Sequence, residues 1–168
     1  MSHLSHHSVV QATTIVRAMD GKHKEQLADE LFRVQPNLLG TVLVQTRLGV
    51  SPEKMEFLLN ILFVCFQAMK VSGLRWPLIT EDEIDRQSQR FVGSVQFTEN
   101  LGENLRNPSM RQYVEDHPEK ELLAYVQVET MNWLKRIVQE ETDKYVILAA
   151  WNIVNCIAFS SVITANSK

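Results

Sequence analysis

Apolar residues recur every three or four positions along most of the chain, which is the spacing of amphipathic helices. The first run passes through Val9, Ala12 and Val16, and two further runs cover 27–32 and 38–43. No segment shows the apolar–polar alternation that is typical of a half-buried strand. The pattern predicts an all-α chain that opens with three short helices.

Capping residues indicate where the longer helices begin. Ser51 followed by Pro52 is typical of a helix start, and the apolar run behind them predicts a helix over 51–72. Thr80 and Glu83 form a capping box, which predicts that the next helix begins there. Both signals have a physical basis, because a side-chain oxygen can accept a hydrogen bond from a free N–H of the first turn.

Three more helices are predicted in the second half of the chain, over 108–115, 118–141 and about 143–165. No glycine or proline separates the last two, so a single long kinked helix fits the pattern equally well. Together the elements predict a single-domain bundle of seven to eight helices over 9–168, preceded by a disordered N-terminal tail at 1–8.

The stretch from Tyr145 to Ser167 contains 23 residues without a charge, a proline or a glycine. Its length alone would suit a C-terminal membrane anchor. Asn152 and Asn155 lie near its middle, however, and polar side chains within hydrocarbon need hydrogen-bond partners. We therefore expect a buried helix of a soluble protein over about 143–165 rather than a tail anchor.

The predicted helices 51–72 and 143–165 are apolar around most of their circumference. On the first of them the polar residues form one narrow stripe of Glu53, Glu56, Asn60, Gln67 and Lys70. The six shorter or half-polar helices could wrap these two, but an interface between two copies would cover them with fewer contacts, which favours a homodimer. The alternative is an internal pocket whose ligand-facing residues are Tyr145, Asn152, Asn155 and Cys156. A hydrogen bond to a neighbouring helix is the simpler interpretation of the two asparagines.

Composition and charge narrow the function further. The 168 residues fit one domain, and the net charge of −3 provides no positive field for nucleic acid or an anionic membrane. Cys65 and Cys156 each lie within an apolar segment, which predicts reduced core thiols. The first eight residues contain histidines where a secretory signal requires an apolar run. These observations predict a cytoplasmic protein.

One segment resembles the helix-turn-helix motif of DNA-binding proteins. The resemblance rests on the turn glycine Gly49 and on the apolar positions Val50, Met55 and Leu58, whereas Gln45 stands where the motif usually has a small residue. The would-be recognition helix carries glutamates and then becomes almost wholly apolar, so it offers little to phosphates or base edges. We therefore expect no nucleic-acid partner.

Residues that could carry chemistry form no recognisable site. His3, His6 and His7 cluster in the predicted tail, where ordering three metal ligands costs conformational entropy. The sequence contains no phosphate-binding loop, nucleophile elbow or cysteine pair with zinc-ligand spacing. We therefore expect no metal site, no cofactor and no catalytic residue, although an enzyme assembled from several helices stays open as an alternative.

The segment 74–79 is unusually apolar for a connection between helices. Arg75 and Trp76 together have the composition of an interface anchor, which predicts a partner surface there. The alternative is that the Trp76 ring packs back onto the core beneath the loop.

The sequence as a whole favours a non-enzymatic homodimeric interaction or regulatory module. The alternative function is a helical small-molecule-binding protein or enzyme with a pocket along the Asn152/Asn155 face. A helix-turn-helix DNA binder and a C-terminal tail-anchored membrane protein rank behind both.

Overall fold

The computed structural model describes residues 2–99 and 103–160, and these residues are mostly helical with short connections. In this part of the chain there are eight α-helices and one short 3₁₀ helix, which confirms the predicted all-α, single-domain bundle. The α-helices are α1 (His6–Ala18), α2 (Gly21–Val34), α3 (Pro36–Leu43), α4 (Pro52–Val71), α5 (Glu81–Glu99), α6 (Glu103–Asp116), α7 (Lys120–Arg136) and α8 (Asp143–Ala158), and the 3₁₀ helix covers Val44–Leu48.

Helices α4 and α8 form the centre of the bundle and run parallel. Near their first residues, the Lys54 ammonium lies 2.7 Å from an Asp143 carboxylate oxygen. Near their last residues, the Trp76 indole N–H donates to the Ile157 carbonyl over 3.0 Å. Helix α4 also packs against α1, α2, α3 and α7. The buried helix predicted over 51–72 is therefore confirmed as the central helix.

Helices α1 and α7 pack beside this pair and run in the opposite direction. The His3 ring meets the Trp76 ring edge-on, which places the start of α1 near the end of α4. The start of α7 lies at the same end, because the Glu119 carboxylate accepts a hydrogen bond from the His3 N–H over 2.7 Å. The last turns of α7 lie beside the start of α4, where Trp133 stacks on Phe57.

The predicted caps form at the starts of α4 and α5. Ser51 Oγ accepts a hydrogen bond from the Lys54 N–H over 3.4 Å, and Thr80 Oγ1 accepts one from the Glu83 N–H over 3.2 Å. Each bond satisfies an N–H that helix geometry leaves free. Gly49 precedes α4 with a φ of 85°, a left-handed conformation that glycine adopts without strain.

The first helix begins earlier than predicted, at His6. Ser5 provides its cap, because the Ser5 hydroxyl accepts a hydrogen bond from the Ser8 N–H over 3.1 Å. Gly21 begins α2, since the Asp20 carboxylate accepts a backbone N–H of the first turn over 2.9 Å. The aspartate cap therefore outweighs the tendency of glycine to end a helix.

The segment predicted as a disordered tail, 1–8, is packed against the body of the protein over residues 2–8. Leu4 is fully buried, and the Ser2 hydroxyl donates to the Pro118 carbonyl over 2.9 Å. The spacing of apolar residues did not predict this contact, because Leu4 is the one apolar side chain that the segment 2–8 buries in the core. The prediction of disorder is corrected for these residues.

Helix α6 begins at Glu103 rather than after Asn107, so Pro108 lies inside the helix. A proline removes one backbone hydrogen bond and usually marks a helix start, which is why the sequence placed the start too late. The remaining backbone hydrogen bonds of α6 tolerate that single loss.

The last two predicted helices are separate. Helix α7 ends at Arg136, where Ile137 adopts an extended conformation, and α8 begins at Asp143. Helix α8 is buried as predicted over its described length, and the predicted continuation over 161–165 lies outside the described residues. Within the described ranges, no helix combines the length and the apolar character that crossing a bilayer requires.

Candidate functional site

Asn155, which the sequence placed on a ligand-facing stripe or a helix contact, lies in a buried cluster that joins α8 to α6. Its side-chain oxygen faces His117 Nε2 at 2.8 Å and accepts a hydrogen bond from the Tyr113 hydroxyl over 3.4 Å. Burial raises the pKa of Tyr113, so this hydroxyl stays protonated at neutral pH and can donate. These contacts agree with the simpler interpretation, in which the asparagine hydrogen-bonds a neighbouring helix.

Asn152 lies about one turn earlier on α8 and faces α5. Its side-chain nitrogen donates to the Ile84 carbonyl over 3.2 Å. Its side-chain oxygen and the Trp151 indole nitrogen are both buried and find no hydrogen-bond partner within the described chain. The Trp151 ring stacks on Phe91, with ring centroids 6.4 Å apart. Both unpaired atoms retain the capacity for one further hydrogen bond.

Tyr145 and Cys156 do not join the two asparagines in one cluster. Tyr145 lies near the start of α8, about 15 Å along the helix from Asn155 at about 1.5 Å per residue. The Lys144 ammonium lies 5.3 Å from the centroid of the Tyr145 ring. Cys156 is buried among the core side chains. The predicted ligand-facing set is therefore distributed along α8.

We expect neither cysteine to react in the native protein. Burial raises the pKa of Cys65 and of Cys156 to about 12, so the reactive thiolate is scarce at neutral pH. Ellman's reagent at about pH 8 should modify neither thiol of the folded protein within minutes and both thiols in denaturant. Cys156→Ser, which leaves Cys65 as the single thiol, assigns any residual reactivity, and a fast native reaction would contradict the packing of α4 and α8.

Trp76 lies on the core side of its loop, whereas Arg75 is exposed. Besides its hydrogen bond to the end of α8, the Trp76 ring meets the His3 ring edge-on, with centroids 6.5 Å apart. The loop is held in place by Gln35, whose side-chain oxygen accepts a hydrogen bond from the Ile79 N–H over 3.0 Å. The contacts of Trp76 agree with the alternative in which it packs back, and Arg75 stays a candidate partner residue.

The segment that resembles a helix-turn-helix motif forms helix ends and core contacts. Its would-be recognition helix is α4, the central helix of the bundle, and Leu58 is fully buried there. Gly49 ends the 3₁₀ helix, Ser51 caps α4, and Val50 is buried between them. Packing and capping therefore account for the residues that carry the resemblance.

A groove of about 730 Å³ opens along the first half of α4, between α2 and α7. Its floor includes Glu53, Glu56 and Asn60, which belong to the polar stripe of the α4 sequence. Phe57 and Trp133 line it as a stacked pair whose ring planes lie within 4° of parallel. A narrow polar stripe on an otherwise apolar helix was thus the sequence signal for this groove. Its charged lining residues are Arg17, Lys24, Arg136, Glu25, Glu53, Glu56 and Glu129.

An apolar surface along α1 and α7, which we call the α1–α7 face, surrounds a shallow cavity of about 440 Å³. Val10 and Thr14 of α1 and Ala124 and Val128 of α7 line this cavity, and Met131 continues the stripe by one helical turn. Val128 is 55% exposed and Met131 is 53% exposed. Large apolar side chains that are exposed side by side are typical of an interaction surface.

A polar pair lies at each end of the α1–α7 face. His6 Nδ1 lies 3.3 Å from the Glu121 carboxylate, and the Arg17 guanidinium lies 3.8 Å from the Glu129 carboxylate. Residues near the start of α1 thus pair with residues near the start of α7, and residues near the end of α1 pair with residues in the second half of α7. The two helices therefore run parallel. The Arg17 side chain is 73% exposed and can reach a partner.

The α1–α7 face was not predicted, because the apolar residues of α7 that face the core form the more prominent of its two stripes. Ala124, Val128 and Met131 also repeat at spacings of four and three, but on the opposite side of the helix. This second, shorter stripe was the available signal.

Over the described residues, no three or more histidine, cysteine, aspartate or glutamate side chains are grouped so that they could hold a metal ion. Comparisons with protein-family models, curated proteins and solved structures found no match to the chain. The function is therefore inferred from the surfaces themselves.

Proposed function

We propose that this protein is a non-enzymatic interaction module that forms a homodimer through the α1–α7 face. The observation that supports the proposal is the exposed apolar stripe of Val10, Val128 and Met131, which has the Glu121 carboxylate at one end and the Arg17 guanidinium at the other. Burial of apolar surface stabilises association, and the charges around an interface select the partner and the register.

A second copy of the chain fits the charges of this face. Because α1 and α7 run parallel within one subunit, a two-fold axis perpendicular to them sets the two faces antiparallel. Glu121 of each copy then lies beside Arg17 of the other copy, and Val10 and Val128 lie between these pairs. Each interface therefore contains two salt bridges around an apolar centre.

The size of the face favours a reversible dimer. The distance from His6 to Arg17 along α1 is about 17 Å, and two adjoining helices are about 20 Å wide, which gives a patch of roughly 340 Å². Standard interfaces bury about 800 Å² on each partner. We therefore expect a dissociation constant on the order of micromolar.

Val128→Glu is expected to convert the dimer to a monomer. It places a carboxylate without a partner in the apolar centre of the interface, which weakens association by about 100-fold. Sedimentation equilibrium over a range of concentrations measures the change. The matched control is Val138→Glu, since Val138 is 85% exposed and lies beyond the end of α7. Equal dissociation constants for the two variants would contradict the proposed interface.

A charge exchange tests the antiparallel register. Arg17→Glu and Glu121→Arg should each weaken the dimer about tenfold, because each places like charges beside one another across the interface. The variant with both changes restores opposite charges in each pair and should recover most of the affinity. If the double variant dimerises with lower affinity than either single variant, the antiparallel register is excluded.

A second candidate is a small-molecule-binding protein, and the groove along α4 favours it. A volume of about 730 Å³ lies in the range of ligand sites, and its stacked aromatic pair and mixed charges suit an aromatic zwitterion. Native mass spectrometry of freshly purified protein tests this function: a retained molecule that Trp133→Ala no longer retains supports it, and an unmodified mass for the chain contradicts it.

The cytoplasm is the location that we propose for this module. The buried free thiols of Cys65 and Cys156 suit a reducing compartment.

A further inference from the structure

The first described residues, 2–5, form a non-helical segment with bends at His3 and Leu4 that lies against the start of α7, and we call them the N-terminal strap. The Leu4 side chain is fully buried in the core. The Ser2 hydroxyl donates to the Pro118 carbonyl over 2.9 Å. The strap leads directly into α1, which begins at His6.

A single buried carboxylate holds the backbone of the strap. Glu119 is fully buried, and one of its oxygens accepts a hydrogen bond from the His3 N–H over 2.7 Å. The other oxygen accepts one from the Leu4 N–H over 3.1 Å. Hydrogen bonds to an ionised acceptor are stronger than neutral ones, so the position of Glu119 determines whether the strap stays bound.

The position of Glu119 depends in turn on the neutral form of His117. The Glu119 N–H donates to His117 Nδ1 over 3.1 Å, so this ring nitrogen carries no proton. The proton of the neutral ring is therefore on Nε2, which donates to the Asn155 oxygen over 2.8 Å. Both ring nitrogens are thus satisfied in one tautomer.

We propose that protonation of His117 releases the N-terminal strap, so that mildly acidic pH detaches residues 2–5 from the start of α7. This proposal does not rest on the proposed dimer. An imidazolium has a proton on both nitrogens, and the proton on Nδ1 would point at the Glu119 N–H. Two donors at hydrogen-bond distance repel one another. The backbone at 117–119 then moves, and the carboxylate that holds His3 and Leu4 moves with it.

The groups around His117 set the direction of this response. Burial lowers the pKa of His117, and the hydrogen bond to Asn155 and the charge of Glu119 oppose that effect only in part. The neutral Tyr113 ring of α6 lies 5.8 Å away. The Phe159 ring, at the end of α8, lies 6.1 Å from the His117 ring between centroids. The Arg90 guanidinium of α5 lies over the Phe159 ring.

One group acts in the opposite sense. His3 Nδ1 lies 3.1 Å from the Glu119 carboxylate, and a protonated His3 would strengthen that contact. His3 is considerably exposed, however, so water weakens the attraction. The buried contact at His117 therefore decides the outcome.

The pH window follows from the direction of the shift. A histidine whose pKa is lowered in the folded state stabilises the bound strap fully above its ordinary value of about 6.5. That contribution is lost as the pH falls below about 6.5 towards the pKa of the folded state. Release should therefore be absent at pH 7.5 and progressive in mildly acidic solution.

Hydrogen exchange of the Leu4 amide tests the proposal. After correction for the intrinsic pH dependence, we expect protection in the full-length protein to fall by up to about tenfold for each pH unit between about 6.5 and the lower pKa of His117 in the folded state. His117→Gln should remove this dependence, because a glutamine can accept from the Glu119 N–H and donate to Asn155 without taking up a proton. His3→Gln, the control, should retain it.

A second measurement needs no variant. The His117 ring signals in an NMR titration should show the Nε2–H tautomer at neutral pH, and the loss of Leu4 protection should level off near the pH at which these signals reach their titration midpoint. Protection that stays constant down to about pH 5, or that falls equally in His117→Gln, would overturn the proposal.

Discussion

Replacing Leu62 with alanine is expected to lower the free energy of unfolding by about 2–5 kcal/mol. Leu62 is fully buried on α4, which packs against α1, α2, α3, α7 and α8. The loss combines the transfer free energy of the removed carbon atoms with the cost of a cavity that rigid neighbouring helices close only in part. We expect the upper half of the range, since Leu62 is fully buried and five helices pack against α4.

Urea unfolding followed by circular dichroism, at one fixed protein concentration, measures the effect. Leu43→Ala is the matched control, because Leu43 is a helical leucine that is 54% exposed. Its free energy of unfolding should change by no more than about 0.5 kcal/mol. Equal losses for the two variants would be incompatible with a central α4.

Lys54→Met is expected to destabilise the fold strongly through the carboxylate that it leaves behind. The Lys54 ammonium donates to the Val138 carbonyl and to the carboxylates of Glu140 and Asp143, over 3.0, 2.6 and 2.7 Å. Burial alone lowers the pKa of Lys54, but the hydrogen bonds to Asp143 and Glu140 raise it above its ordinary value. Without the ammonium, the Glu140 N–H is the one hydrogen-bond donor that the described residues still offer to the buried Asp143.

A double variant separates the buried charge from simple loss of packing. Lys54→Met together with Asp143→Leu removes both charges and should unfold at a higher urea concentration than Lys54→Met alone. Lys144→Met removes a more exposed lysine, which pairs with Glu141, and should leave the urea midpoint almost unchanged. A Lys54→Met midpoint equal to that of Lys144→Met would mean that the pair does not join α4 to α8.

The fold was predictable wherever one segment contained both its apolar pattern and its cap. The start of α4 at Ser51 and Pro52 and the start of α5 at Thr80 are local events, in which a side chain satisfies a backbone group three residues away. The burial of α4 and α8 was equally predictable, because a helix that is apolar on most sides has to be covered by other parts of the protein.

The errors arose where a distant residue decided the structure. The strap is ordered by Glu119, a residue more than a hundred positions away, and no local pattern reports that contact. Because glutamate is rarely buried, its residue type gave no reason to expect that Glu119 holds the strap in place. The division between α7 and α8, which the pattern left open, also has a distant contact, because the Lys54 ammonium donates to the Val138 carbonyl in the connection.

The candidate site was only partly predictable for a related reason. The polar stripe of α4 indicated the groove, and the hydrogen-bonded interpretation of Asn155 agrees with its contacts. The α1–α7 face depends on two helices that are far apart in sequence and adjacent in space. A short outward stripe on one helix carries little information until its neighbour is known.

The contact between the strap and Glu119 also determines when the chain can finish folding during its synthesis. Leu4 and Glu119 are separated by 115 positions, so at about 5–20 residues per second a ribosome makes Glu119 roughly 6–23 s after Leu4. During that interval the N-terminal leucine has no anchor and stays accessible to chaperones. The segment at 2–5 therefore cannot reach its native position until Glu119 has been made, and a nascent chain that stalls before Glu119 keeps that segment exposed.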